Sequence, residues 1–196
     1  MPNVRIKLLE DVPRSEAGPL ATQLAALDVL PEQRDFSGSP ASVVKRGVDD
    51  PTRRTFVILL EPPDGPPVPV GVGALHPDAA GRSVCPEPHV LLRGLSIDAR
   101  HQGRGIGTAA VTQAVELAAR LAPDARAVVL RVHRRNAAAR RAYARAGFAP
   151  TGQRIDGPTG VEEVMVRRLD GRAAAPAGQG TAGVLGGAGA GSQAAR

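Results

Sequence analysis

Apolar and polar residues alternate at the start of the chain. Val4, Ile6 and Leu8 fall on one side and Arg5 and Lys7 on the other. That period of two predicts a half-buried strand, and its basic outer side suits a sheet edge. The period then lengthens. Leu20, Leu24 and Leu27 share one face of a helix expected from an N-cap at Ser15 to about Leu27, with Pro19 early in it. Ser39-Pro40 predicts an N-cap and first position of a second helix, which carries Val43 and Val44 and stops at Gly47. Thr55–Leu60 and Val68–His76 read as a strand pair around a Pro- and Gly-rich loop, with Gly71 and Gly73 marking a bulge or a close backbone approach. A further Pro- and Gly-rich loop over 77–89 precedes a strand at Val90–Ile97.

Helical spacing returns over Thr108–Leu121. Val111, Ala114, Val115, Ala118 and Leu121 form one face, and Thr112, Glu116 and Arg120 another. The apolar run Ala127–Val132, interrupted only by Arg131, predicts a strand buried on both faces. Asn136 is placed to cap a helix ending at Gly147, with Ala139, Ala142, Tyr143 and Ala146 inward and Arg140, Arg141 and Arg145 outward. A turn at 157–160 and a strand at Glu162–Arg168 complete the order: strand, two helices, strand hairpin, strand and helix, strand, helix, strand. This order predicts a mixed sheet with helices on both faces. Residues 1–172 are expected to form a single domain. Residues 173–196, rich in Ala and Gly, cannot bury enough surface to offset their ordering entropy and are expected to be a disordered tail.

The strand-to-helix junction Ile97-Asp-Ala-Arg-His-Gln-Gly-Arg-Gly-Ile-Gly-Thr108 organises the rest. Gly103, Gly105 and Gly107 let the backbone turn sharply and leave its N–H groups bare. Together with the positive end of the following helix dipole they make a phosphate site. No Lys follows Gly107, which excludes a Walker A loop. The spacing G-x-G-x-G is not the G-x-G-x-x-G of dinucleotide folds.

Gln102-Gly-Arg-Gly105-Ile-Gly107 resembles the pyrophosphate loop of the GNAT superfamily of N-acetyltransferases. Asn136-Ala-Ala-Ala139-Arg-Arg-Ala-Tyr143-Ala-Arg-Ala-Gly147-Phe148 resembles that superfamily's later Asn…Ala…Tyr…Gly-Phe helix. The resemblance covers roughly residues 4–169 and rests on two motifs in the right order. It implies an α/β (α+β mixed) fold around a central, largely antiparallel sheet, acetyl-CoA as co-substrate, and acetyl transfer to an amine. By the same resemblance the backbone of Leu95, Ser96 and Ile97 pairs with the pantetheine arm. Gln102, Gly103, Arg104, Gly105, Ile106, Gly107 and Thr108 hold the pyrophosphate, with Arg104 as local counter-charge. Asn136 contacts the cofactor, and Tyr143, the sole Tyr, is the general acid for the leaving thiolate.

For the proton lost by the acceptor amine, Glu61, Glu87 and His89 are candidate bases, none with a motif behind it. His101 and His133 are too far apart and too unpatterned to argue for a metal site. Cys85, alone in a Pro-rich loop with no His or Asn arrangement around it, reads as an exposed spectator thiol.

Composition narrows the setting. Apolar residues at 42% supply a core, and aromatics at 2% leave it to Val, Leu, Ile and Ala. The net charge of +6 is almost all Arg, since Lys occurs only at Lys7 and Lys45, and this fits a codon-composition bias. A nucleic-acid module built on Arg131, Arg134, Arg135, Arg140 and Arg141 would lack aromatics for base stacking, so nucleic acid is not the expected partner. One cysteine, no run of about 18 apolar residues and no basic-then-apolar N-terminus lead to a cytoplasmic expectation with no membrane partner. A homodimer is a family expectation.

The partner expected is a small-molecule amine. Leu30-Pro-Glu-Gln33-Arg-Asp-Phe36 and the Leu92–Gly103 run are similar to bacterial spermine/spermidine-type acetyltransferases. The chain departs from them at Arg93-Gly94, where those relatives tend to carry an acidic residue and Arg. A polyamine pocket should be acidic; Glu32, Asp35 and Glu61 could supply that charge, and an inward Arg93 would oppose it. A protein N-terminus or Lys as acceptor, or a non-catalytic CoA-binding regulator, are the alternatives.

Overall fold

The alternation at the N-terminus becomes β1 (Val4–Leu8), which lies at one edge of a seven-stranded sheet. The computed structural model describes residues 2–77, 85–157 and 159–169, so the expected tail lies outside the described residues, as do residues 78–84 of the Pro-rich loop. The remaining strands are β2 (Arg54–Leu60), β3 (Val68–Pro77), β4 (His89–Ile97), β5 (Ala127–His133), β6 (Ala149–Gly157) and β7 (Gly160–Arg168). The helices are α1 (Arg14–Ala25), α2 (Pro31–Ser37), α3 (Pro40–Asp49), α4 (Ile106–Leu121) and α5 (Ala137–Arg145). The strand order is β1-β2-β3-β4-β5-β7-β6, antiparallel throughout except for β4 and β5.

Side-chain alternation sends each strand's apolar residues to two cores. Phe56, Ile58, Val70, Val128, Leu130 and Val132 pack with Ile106, Val111, Val115 and Tyr143 under α4 and α5. Val57, Leu59, Val72 and Ala74 pack with Leu24, Leu27 and Val43 under α1 and α3. The strand Ala127–His133 is buried on both faces except at Arg131, which is exposed: Ala127 and Val129 join a third cluster with Leu91, Val164 and Val166. Cys85 belongs to that cluster too. It is buried rather than exposed, and burial pushes its thiol pKa up, away from reactivity. The outer backbone of β1 is covered by α4: Gln113 accepts from the Ile6 N–H at 3.1 Å and donates to the Val4 carbonyl.

Several elements differ from the expectation. α1 starts at Arg14, with Pro13 in the cap position and no side-chain cap, so Ser15 is already helical. α2 is a separate helix with Pro31 in its first turn, which makes three helices before β2 rather than two. Ser39 does cap α3, accepting from the Ser42 N–H at 3.2 Å. Gly47 does not end that helix, which runs on to Asp49; it lets the helix lie against β2. α4 begins at Ile106, which puts Gly107 inside its first turn. β6 was not expected. Its residues Pro150 and Gly152 break any alternation, and its ladder with β7 shifts register between Pro150 and Arg154.

A Gly→Ala change in a helix interior ordinarily stabilises by up to about 1 kcal/mol. At Gly47 a Cβ would stand 2.0 Å from Thr55 Oγ1 and 3.0 Å from Thr55 Cβ. Rotating Thr55 relieves only the first contact, so the sign reverses. Gly47→Ala is expected to lower stability by about 1–3 kcal/mol, read as a lower midpoint in urea at an unchanged slope.

Candidate active site

β4 and β5 run parallel and are paired only from His89 with Ala127 to Leu91 with Val129. Beyond Leu91 they separate. Gly94, at φ 60°, bends β4 there, and the ladder with β3 shifts register between Val72 and Ala74. One edge of β4 stays on β3, as the Asp98 N–H donating to the Val70 carbonyl at 2.8 Å shows. Peptide groups alternate along a strand, so those of Leu95 and Ile97 turn to the unpaired side and those of Ser96 to β3. The opening between the two strands is a cleft.

The cleft holds two cavities of about 250 Å³ each. The first is lined by Leu95, Ser96, Ile97, Gln102, Gly103, Gly105, Ile106, Gly107, Thr108, Asn136 and Tyr143. It thus brings together every expected site residue but Arg104, which is exposed and outside the lining. Arg141 and Arg145 of α5 line it instead, although helical spacing had put them on an outward face. The second cavity is lined by Phe36, Arg46, Arg53, Arg93, Arg131, His133 and Glu162 among others. Leu95, Asn136, Ala139 and Tyr143 line both, so the cavities meet there.

The loop between β4 and α4 is set by its glycines and by Asp98. Gly103 and Gly105 take φ of 76° and 79°, in the left-handed region. Gly105 occupies the cap position of α4 and offers no side-chain cap, so the first-turn N–H groups at Ile106, Gly107 and Thr108 stay available to a ligand. Ile106 anchors this turn in the core at 1% exposure. Gln102 exchanges two hydrogen bonds with Gln33 of α2, at 2.7 and 3.0 Å, and donates to the Ile97 carbonyl at 2.8 Å. α2 is therefore tied to the loop, while its Phe36 stacks on His133 with ring centroids 4.7 Å apart.

Asp98, 1% exposed, accepts from the Arg100 backbone N–H (2.9 Å), from the Arg100 guanidinium at Nε (2.8 Å) and Nη2 (2.9 Å), and from the Asp28 N–H (3.3 Å). The Arg100 guanidinium, above all, holds this carboxyl well below the usual carboxylate range.

Tyr143 is buried, and its ring lies 6.1 Å from that of Phe148. Burial pushes its pKa up to about 12, so the phenol stays protonated and can only donate at neutral pH. Asn136 caps α5, accepting from the Ala139 N–H at 3.0 Å. His133 has both ring nitrogens occupied. Nε2 donates to the Thr159 carbonyl at 3.0 Å, and Nδ1 accepts from the Arg135 N–H at 3.2 Å. None of the three candidate bases is here. Glu61 pairs with Arg5 at the β1 edge, Glu87 pairs with Arg168, and His89 is buried with Nδ1 on the Glu87 carbonyl. Among the described residues the one carboxylate in the second cavity's lining is Glu162, held by Arg131 at 2.9 Å. It belongs to the last strand, where sequence spacing alone marks it no differently from Glu163.

The sequence profile of the acetyltransferase (GNAT) family matches residues 23–148, about two thirds of the chain. The chain belongs to that family. As a member it is an acetyl-CoA-dependent N-acetyltransferase. No curated protein sequence matches it. Among solved structures, it resembles aminoglycoside acetyltransferase AAC(6')-Ib in complex with coenzyme A, with a TM-score of 0.61 and 19% identity over 86% of this chain and 96% of the other. It also resembles spermidine N-acetyltransferase from Vibrio cholerae in complex with CoA and spermine, with a TM-score of 0.59 and 14% identity over 85% and 96%. An uncharacterised protein from Bacillus halodurans gives a TM-score of 0.62 and 14% identity over 85% and 84%. At these identities the likeness is one of fold.

Two substitutions test the loop of this acetyltransferase. Gly105→Ala forces a Cβ into the left-handed region at a cost of about 1–2 kcal/mol and is expected to weaken CoA binding at least tenfold by calorimetry. Asp98→Asn breaks part of the bidentate pair and is expected to cost about 2 kcal/mol in urea unfolding. Because the native carboxyl lies below its ordinary value of 3.8, its contribution is present above that pH and lost as pH falls through the native value. The gap between wild type and variant should therefore hold from pH 7 to about pH 4 and close only below it.

Proposed function

We propose that this acetyltransferase acetylates the primary amine of a small molecule by direct attack on acetyl-CoA, across the junction of the two cavities. The single observation that carries the reading is that Leu95 and Tyr143 line both cavities, so an amine in one and a thioester in the other meet between a backbone N–H and a phenol. The features of the first cavity suit coenzyme A. Uncapped amides at Ile106–Thr108 face the pyrophosphate, with Gly103 and Gly105 leaving their approach open and Arg141 and Arg145 adding charge. The Leu95 peptide group, on the edge of β4 that β5 does not reach, runs alongside the peptide-like pantetheine arm.

In the transfer itself, the amine nitrogen attacks the thioester carbonyl carbon and the C=O electrons move onto oxygen. The Leu95 N–H stabilises that oxyanion. As the C–S bond breaks, the Tyr143 hydroxyl, which has no protein hydrogen-bond partner among the described residues, gives its proton to the departing sulfur. The nitrogen loses its extra proton to Glu162, directly or through water. The products are the N-acetylated amine and free CoA, and Tyr143 regains a proton from solvent.

The test is thiol release from acetyl-CoA over a panel of amines, with CoA binding measured by calorimetry. Tyr143→Phe is expected to lower kcat by about a hundredfold or more while leaving CoA affinity within a few fold. Because burial holds the phenol's pKa near 12, kcat should show no alkaline loss from this group below about pH 11. A Tyr143→Phe variant with wild-type turnover would remove the phenol from the mechanism. CoA binding with no turnover on any amine would favour a regulator.

A further inference from the structure

The second cavity is walled by cations. Arg46, Arg53, Arg93 and Arg131 line it against one carboxylate among the described residues, Glu162. Two of these charges are already met: Arg131 by Glu162 at 2.9 Å, and Arg53 by Asp50 at 3.0 Å. Arg93 differs. It lies on β4 two residues before Leu95, is half-buried, and its side chain makes no hydrogen bond or ion pair with any of the described residues. Burial lowers its pKa, and the charges of Arg53, Arg131 and Arg46 lower it further against only Asp50. A protein does not hold an unpaired guanidinium among three others for the sake of its fold.

Glu32 and Glu61, which could have made the pocket acidic, do not line it: Glu32 is exposed, and Glu61 is paired with Arg5. The side chain of Asp35 lies outside the described residues. A polycation entering this cavity would meet like charge on the wall nearest the reacting centre. An anion would meet a planar fork of donors suited to carboxylate or phosphate.

We propose that the acceptor is a small primary amine that also carries an anionic group, carboxylate or phosphate, which Arg93 binds while the amine is presented at Leu95 and Tyr143. Arg93 is then a specificity-determining residue, and its fork orients the amine as well as drawing it in. The wall runs from Arg93 on β4 to Arg131 on β5, so it spans the mouth of the same cleft that holds the thioester. The inference rests on the acetyltransferase reading above.

Matched pairs of amines test it: 4-aminobutyrate against butylamine, O-phosphoethanolamine against ethanolamine, and spermidine as the polycation. For at least one pair the anionic member should exceed its neutral partner in kcat/KM by tenfold or more, and spermidine should be the poorest substrate. Which pair responds separates carboxylate from phosphate. Arg93→Gln should bring the anionic-to-neutral ratio close to one, a readout that cancels any general loss of activity, with Arg93→Lys in between. The Tm of Arg93→Gln should equal or exceed wild type, because a repelled cation has been removed. Equal rates within both pairs, or a preference for spermidine, would overturn the proposal.

Calorimetry of the same anionic amines on the CoA-loaded protein gives an independent readout. Binding that Arg93→Gln abolishes supports the proposal even without turnover, and absence of binding by either anionic amine overturns it. Failure of the acetyltransferase reading would show separately, as no thiol release with any amine.

Discussion

Everything at the site depends on two parallel strands that cannot stay together. β4 and β5 share a ladder for three residues and then part, because β4 is held on its other side by β3 and bent at Gly94. Unpaired strand edges are a hazard in most sheets. Here the edge of β4 freed at Leu95 faces an interior cleft rather than the outside of the sheet. The same divergence leaves α4 and α5 on opposite banks of the cleft. It therefore creates the binding edge, the volume and the position of Tyr143 in one step.

The loop at the head of the cleft is fixed from three directions. Asp98 turns the chain off β4 through its pair with Arg100, Gly105 starts α4 from a left-handed residue, and Ile106 pins the first turn into the core. α2 closes the fourth side, with Gln33 on the loop and Phe36 on His133. That short helix lines both cavities, through Gln33 in the first and Phe36 in the second, and so couples one to the other. His133 illustrates how much of this wall is scaffold. With both nitrogens on backbone partners it can position Phe36 but cannot serve as a proton acceptor without losing a bond.

The loop before α4 and the helix α5 were legible in the sequence because both are written in local spacing: glycines at alternate positions in the one, a capping Asn and a Tyr seven residues on in the other. The strands around them, β6 apart, followed from period and composition, while their pairings, beyond the one hairpin, did not. What could not be read was non-local. β6 has the wrong residues for a strand and is a strand only because β7 offers it an edge. Gly47 looks like a helix stop, yet its missing Cβ is there for Thr55 across the interface. Cys85 sits in loop-like sequence but is buried by residues from β4, β5 and β7. The three candidate bases were plausible by residue type and were placed elsewhere by topology. Arg141 and Arg145 were assigned to solvent by helical period, since no period reveals that the outward face of a helix borders a cleft.

The acceptor side shows the same limit with more consequence. Similarity in the segments around Gln33 and Leu92 points toward polyamine enzymes, and both are real features of this fold. They concern the first cavity and the loop at its head: Gln33 bonds to Gln102, and the approach to the loop sets Asp98. Charge on the second cavity's wall is set by different residues, drawn from α3, the turn before β2, β4 and β5 and separated by up to 85 positions in sequence. Their collective sign emerges only when the sheet assembles, with Arg93 standing where the departure from the polyamine pattern occurs. A cofactor site built from one continuous loop can keep its motif across a family. An acceptor site gathered from distant side chains can reverse its charge without disturbing that motif, and so the substrate has to be argued from the assembled wall.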